Sequence, residues 1–264
     1  MISFVPRKPL LLATAAACVL ALIALAWWPG RSGAQAGDAF MPEHYGRYVP
    51  ALQAWAKDRE GEGDDATRPE RVHAVCASKD ITLDSEPHRL LAVCGRALKE
   101  TSFSDPGSVD LYVLKRTGNG WVIAAQRKGI ESGRLGQAGD VSVIQLGPSF
   151  HGFELSDTWV SQGYVLGGTR LYVPAGASFQ PALEFTNSVS NNGTRECADT
   201  TPAECSDLSR RLKTEAQGDA STYALRITSV GTYRGKPVAG SHVLTYDTRR
   251  HQYRLPAGFE AQIE

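Results

Sequence analysis

The segment Gly147-Pro148-Ser149-Phe150-His151-Gly152 puts a hydroxyl two residues from an imidazole. It follows the G-x-S-x-G nucleophile elbow for four positions, with His151 where the last Gly belongs. The elbow needs a strand, a sharp turn and then a helix. Here Phe153-Glu154-Leu155 continues as a strand pattern, so a plain turn with Pro148 in its first corner explains the residues better. Asp140, Glu154 and Asp157 are the carboxylates that a hydrolase would call on. Glu154 and Asp157 lie three apart, which on a strand sends them to opposite faces. Solvated loop charges account for them, and no catalytic residue is assigned.

Histidines stand at 44, 73, 88, 151, 242 and 251. His242 and His251 flank a hairpin turn at Asp247–Arg250 and would share a sheet face, but a metal needs a third ligand there. The chain has no P-loop, no G-x-G-x-x-G and no D-x-D-x-D-G calcium loop. No metal and no cofactor are expected.

The residues most suited to binding lie in Ser156–Tyr164. Trp159 and Tyr164, with Ser161 and Gln162 between them, form an aromatic pair among small hydrogen-bonding residues, followed by Gly167-Gly168. Rings on a Gly-bounded loop bring contact area at low entropic cost. The plainer alternative makes Trp159 a core residue at a strand end.

Cys76, Cys94, Cys197 and Cys205 remain after Cys18, which lies in an apolar run. An even count in an oxidising compartment reads as two disulfides. Arg71–Cys76 and Arg89–Cys94 share the pattern R-x-x-A-V-C, so two strands side by side would bring Cys76 to Cys94. Cys197 and Cys205 then close a small polar loop.

The elements that must carry these residues are short strands between turn signals. Val109–Leu114, Trp121–Ala125, Val141–Leu146, Phe150–Leu155, Thr169–Val173, Phe179–Phe185, Tyr223–Thr228, Ser241–Tyr246 and Gln252–Leu255 read as strands. Asn119-Gly120 marks a hairpin turn. Twelve glycines between positions 118 and 176 argue against long helices there. Leu111-Tyr112-Val113 recurs as Leu171-Tyr172-Val173, with a partial third copy at Leu244. The fold class is therefore mainly β: antiparallel meander sheets, blade-like or a sandwich, with a short helix. Two helices are expected, one at Pro50–Glu60 and one from Thr201 to about Leu212 behind a capping box. The alternative for the latter is a disulfide loop followed by a strand from Arg211.

Residues 1–36 read as an export element. Arg7 and Lys8 precede 19 uncharged residues, Leu10–Trp28, and Ala34-Gln35-Ala36 has the form of a cleavage site. The run is also long enough to span a bilayer, with Trp27 and Trp28 at its end, so a cleaved signal peptide and a retained transmembrane helix both stand. Either way the remainder is exported. Residues 37–69 read as a stem and linker. Residues 70–264 read as the β-rich globular domain, divisible near residue 135 into two sub-modules. The whole chain carries 28 basic and 28 acidic residues; without Arg7, Lys8 and Arg31 it carries 25 against 28. That balance gives no nucleic-acid partner.

The leading functional expectation is a non-catalytic binding protein of the envelope, inhibitor-like, immunity-like or an assembly accessory, with another protein or envelope component as partner. A periplasmic hydrolase of glycan or ester, using Ser149 or a carboxylate with His151, is the alternative. A structural module tethered to the inner membrane through residues 10–28 is the third.

Overall fold

A computed structural model describes residues 39–57, 70–99, 101–118, 120–195, 197, 205–218 and 220–260. The leader, most of the linker, Asn119 and the start of the expected helix at Thr201 lie outside the described residues. The described residues open with α1 (Phe40–Tyr45) and continue through β1 (Arg47–Val49), β2 (Ala54–Ala56), β3 (Arg71–Leu83), β4 (Glu86–Ala97), β5 (Gly107–Thr117) and β6 (Gly120–Ser132). Then come β7 (Asp140–Gln145), β8 (His151–Ser161), β9 (Tyr164–Ala175), β10 (Ser178–Ser190), β11 (Asp207–Glu215), β12 (Ala224–Tyr233) and β13 (Lys236–Leu244). β14 (Tyr246–Asp247) and β15 (Gln252–Tyr253) close the series. Among the described residues, β1–β6 form one antiparallel sheet and β7–β13 another, each with its strands in chain order.

This sequential order follows from tight turns. Asp84 and Ser85, Gln162 and Gly163, and Arg234 and Gly235 are consecutive left-handed pairs at hairpin tips. Such turns twist in the sense of their strands and send each strand back beside the last. The apolar runs Leu90–Val93 and Leu111–Leu114 are buried on both faces rather than alternating. Leu90, Ala92, Leu111 and Val113 meet Phe153, Leu155, Tyr172 and Phe179 of the other sheet and form the shared core. Leu91, Val93, Tyr112 and Leu114 point to the opposite face, where α1 covers them with Phe40, Met41 and Tyr45. The far side of the second sheet is closed by Tyr253 and Phe259.

Two helix expectations fail. Pro50–Leu52 is a single 3-10 turn, ended by left-handed Gln53, and Ala54–Ala56 is a strand. Ala54 and Ala56 are buried beside Val72, so pairing with the sheet outweighs the helical spacing of Leu52 and Trp55. Asp207–Glu215 is strand β11, not the second half of a helix from Thr201. Its alternation, with Leu208 and Arg210 buried between exposed neighbours, has the two-residue period of a strand. Residues 39–57, read as stem, supply α1, β1 and β2.

The disulfides are Cys76–Cys94 and Cys197–Cys205. In the first, Val75 pairs with Val93 and Ala77 with Ala92, so Cys76 is the extra residue of a β-bulge beside Cys94.

Candidate functional site

Trp159 on β8 stands opposite Leu166 on β9, and Ser161 stands opposite Tyr164. Side chains alternate along a strand, so these four residues share one face of the hairpin. Trp159 is 43% exposed, Tyr164 42% and Leu166 49%. Trp159 is therefore not a core residue. The segment is not a loop either: only Gln162 and Gly163 leave the strands, with φ of 50° and 86°. Of the two glycines that suggested a loop, Gly167 serves packing, whereas a β-carbon on Gly168 would meet open space. A β-carbon on Gly167 would lie 2.2 Å from Asn187 Oδ1 of the neighbouring strand. Leu166 is the member of the face that sequence reasoning missed; its signal is the two-residue spacing from Tyr164 along β9. No charged residue occurs between Asp157 and Arg170.

The tip rests on the loop that leads to the second disulfide. Gly163 abuts the backbone of Gly193 and Thr194. Thr194 Oγ1 accepts the backbone N–H of Cys197, and Asn191 Oδ1 accepts that of Ser206, which ties both ends of the loop in place. The base is fixed by Asp157. Its Oδ1 accepts from Ser132 Oγ at 2.6 Å and Gly133 N at 2.7 Å, and its Oδ2 from Arg170 Nη2 at 2.6 Å. Beside the hairpin a groove of about 640 Å³ is lined by Leu166, Gly168, Arg170, Glu184, Val189 and Glu260, among others.

Asp157 is thus committed to structure. Asp140 pairs with Ser156 across β7 and β8. Glu154 is half-buried, and burial pushes its carboxyl pKa up. At about 3.3 Å per residue along a strand, Asp157 lies roughly 20 Å from His151. The three carboxylates do not gather around Ser149.

Ser149 and His151 line one pocket, of about 260 Å³, between the two sheets. Its other walls are Ile81, Leu83, His88, Leu90, Val113, Ala125 and Pro174. His151 is 7% exposed, and its Nδ1 is buried with no hydrogen-bond partner among the described residues. Burial lowers its pKa, the Lys79 charge lowers it further, and the Ser149 main chain opposes both. His88 Nδ1 lies 2.9 Å from the Glu86 carbonyl oxygen. Among the described residues no carboxylate lines this pocket. The arrangement holds a hydroxyl and an imidazole near one another but supplies no acid to orient the ring.

The remaining histidines have separate surroundings. His73 lies tilted against the Tyr45 ring, and burial lowers its pKa. His242 packs edge-on against Phe259, while His251 Nδ1 lies 3.4 Å from Tyr246 Oη. Among the described residues no three His, Cys, Asp or Glu side chains are grouped to hold a metal ion. Compared with protein-family models, curated proteins and solved structures, the chain matches none of them.

Proposed function

We propose that this chain is an exported, non-catalytic binding protein that holds a protein or other envelope partner on the β8–β9 hairpin and the groove beside it. One observation carries the reading: Trp159, Tyr164 and Leu166 are exposed together on an uncharged face. Interface centres favour aromatic rings and lack charge, and buried Trp and Tyr dominate binding energy. The two disulfides fit an oxidising compartment. The apolar run at 10–28 would deliver the domain there or anchor it to the inner membrane. Inhibitor-like, immunity-like and assembly roles would all use such a face.

The test is affinity capture from the envelope fraction and culture medium with the wild-type chain and with Trp159→Ala. A stoichiometric partner retained by the first and lost by the second supports the proposal. A partner retained equally by both removes the hairpin from it.

The pocket shared by Ser149 and His151 favours a second reading, an ester hydrolase. Turnover of p-nitrophenyl hexanoate that disappears in Ser149→Ala would replace the binding reading with that one.

A further inference from the structure

The inter-sheet pocket has a composition that the hairpin reading does not use. Register places its first wall: Lys79 opposes Leu90, Ile81 opposes His88, and Leu90 in turn opposes Val113. Lys79, Ile81 and Leu83 alternate along β3 and so share the pocket face. Ser149, Phe150, His151 and Pro174 form the second wall. The lining is apolar apart from Ser149 and the two imidazoles, His88 and His151.

Two features single the pocket out. His151 is more than nine-tenths buried and its Nδ1 has no hydrogen-bond partner among the described residues, whereas buried polar atoms are ordinarily paired. The charges that the ring meets are basic: Lys79 acts on it, His88 stands on the facing wall of the pocket, and among the described residues no carboxylate lines the space. An apolar pocket with a few convergent polar groups is the usual form of a small-molecule site. The charge complement of this one is an anion.

From these positions we infer that the pocket is a binding site for a short apolar chain ending in a free carboxylate. The chain would lie against Ile81, Leu83, Leu90 and Val113, and a carboxylate oxygen would accept a hydrogen bond from His151 with Lys79 as the nearby cation. Burying the apolar chain supplies affinity, and the charge-assisted hydrogen bond selects the head group. The site is separate from the β8–β9 face, so it stands or falls independently of the partner reading.

The test uses the full chain as isolated from the producing cell and three probes of equal chain length: hexanoate, methyl hexanoate and hexylammonium. Calorimetric titration should show hexanoate binding at least about tenfold more tightly than the other two, a difference of about 1.4 kcal/mol. His151→Gln should remove that preference by weakening hexanoate alone. Leu83→Trp, which narrows the pocket from the half-buried end of β3 and leaves His151 in place, should weaken both hexanoate and the ester. Equal affinity for all three probes, tighter binding of the ester (an esterified lipid chain), or no hexanoate binding would each overturn the assignment. Hexanoate binding that neither variant changes would overturn it too. If His151→Gln does not fold, Leu83→Trp and the probe series decide the matter.

Discussion

Gly163 turns directly against Gly193: a β-carbon on Gly163 would lie 2.2 Å from the Gly193 carbonyl oxygen. The hairpin tip that carries the exposed rings is thereby seated on the loop of the second disulfide. Gly163 also has φ of 86°, which side-chain-bearing residues rarely adopt. Gly163→Ala should therefore cost about 1–3 kcal/mol. Urea unfolding of wild type and variant measures this, and an unchanged midpoint would disprove the close seating.

Trp159→Ala should weaken partner binding by about 2 kcal/mol or more, roughly thirtyfold in dissociation constant. Its stability cost should be small, about 1 kcal/mol or less, because what is lost is a cross-strand contact on an exposed face. Thermal unfolding and partner titration on the same variant separate the two effects. A core-sized loss of about 3–5 kcal/mol would contradict the observed exposure.

Reduction of the Cys76–Cys94 bridge should destabilise the domain by about 2–4 kcal/mol. Serine at both positions should lower the unfolding midpoint without changing the strand content seen by circular dichroism. Non-reducing peptide mapping of the wild type should recover Cys76 with Cys94 and Cys197 with Cys205; a Cys94–Cys197 peptide would refute the bulge geometry.

Arg210 is wholly buried and meets Glu260 on one side and the Phe259 carbonyl and ring on the other. Glu260→Gln leaves that cation without a counter-ion. Glu260 is itself one-third exposed, so the expected cost is about 1–3 kcal/mol rather than that of a fully buried pair. Loosening of the C-terminal segment should appear as faster tryptic cleavage after Arg254. Unaltered cleavage would mean that Phe259 packing alone holds the segment.

Stability should fall as pH drops from about 7 toward 5. Burial holds the pKa of His73 and His151 below the ordinary histidine value, so in that window the unfolded chain binds more protons than the folded one. Acidification therefore favours unfolding, beginning near the unfolded histidine pKa of about 6.5. Glu154 acts in the opposite sense, because its raised pKa makes the folded state bind the extra proton. Comparing His151→Gln with wild type cancels that contribution. The variant should lose less stability between pH 7 and 5, and an identical slope would show that His151 does not titrate as a buried group.

Local chemistry alone determined much of this protein. The glycine spacing and alternating runs specify antiparallel strands joined by short turns, because both turn conformation and side-chain period are set by neighbouring residues. The matched R-x-x-A-V-C phrases point to the Cys76–Cys94 bridge on adjacent antiparallel strands, and the bulge at Cys76 completes it. Other outcomes depend on contacts distant in sequence. Ala54–Ala56 and Asp207–Glu215 are strands because a sheet edge stands ready to pair with them, and helix-like spacing does not reveal that edge. Trp159 is exposed beside Leu166 on an open face of the β8–β9 hairpin, and burial of a ring depends on what the fold lays across from it. Asp157 is a structural anchor because Ser132, Gly133 and Arg170 converge on it from other parts of the chain. Ser149 and His151 share a pocket because β3, β4 and β5 close over them from the opposite sheet, a meeting that only tertiary packing can arrange.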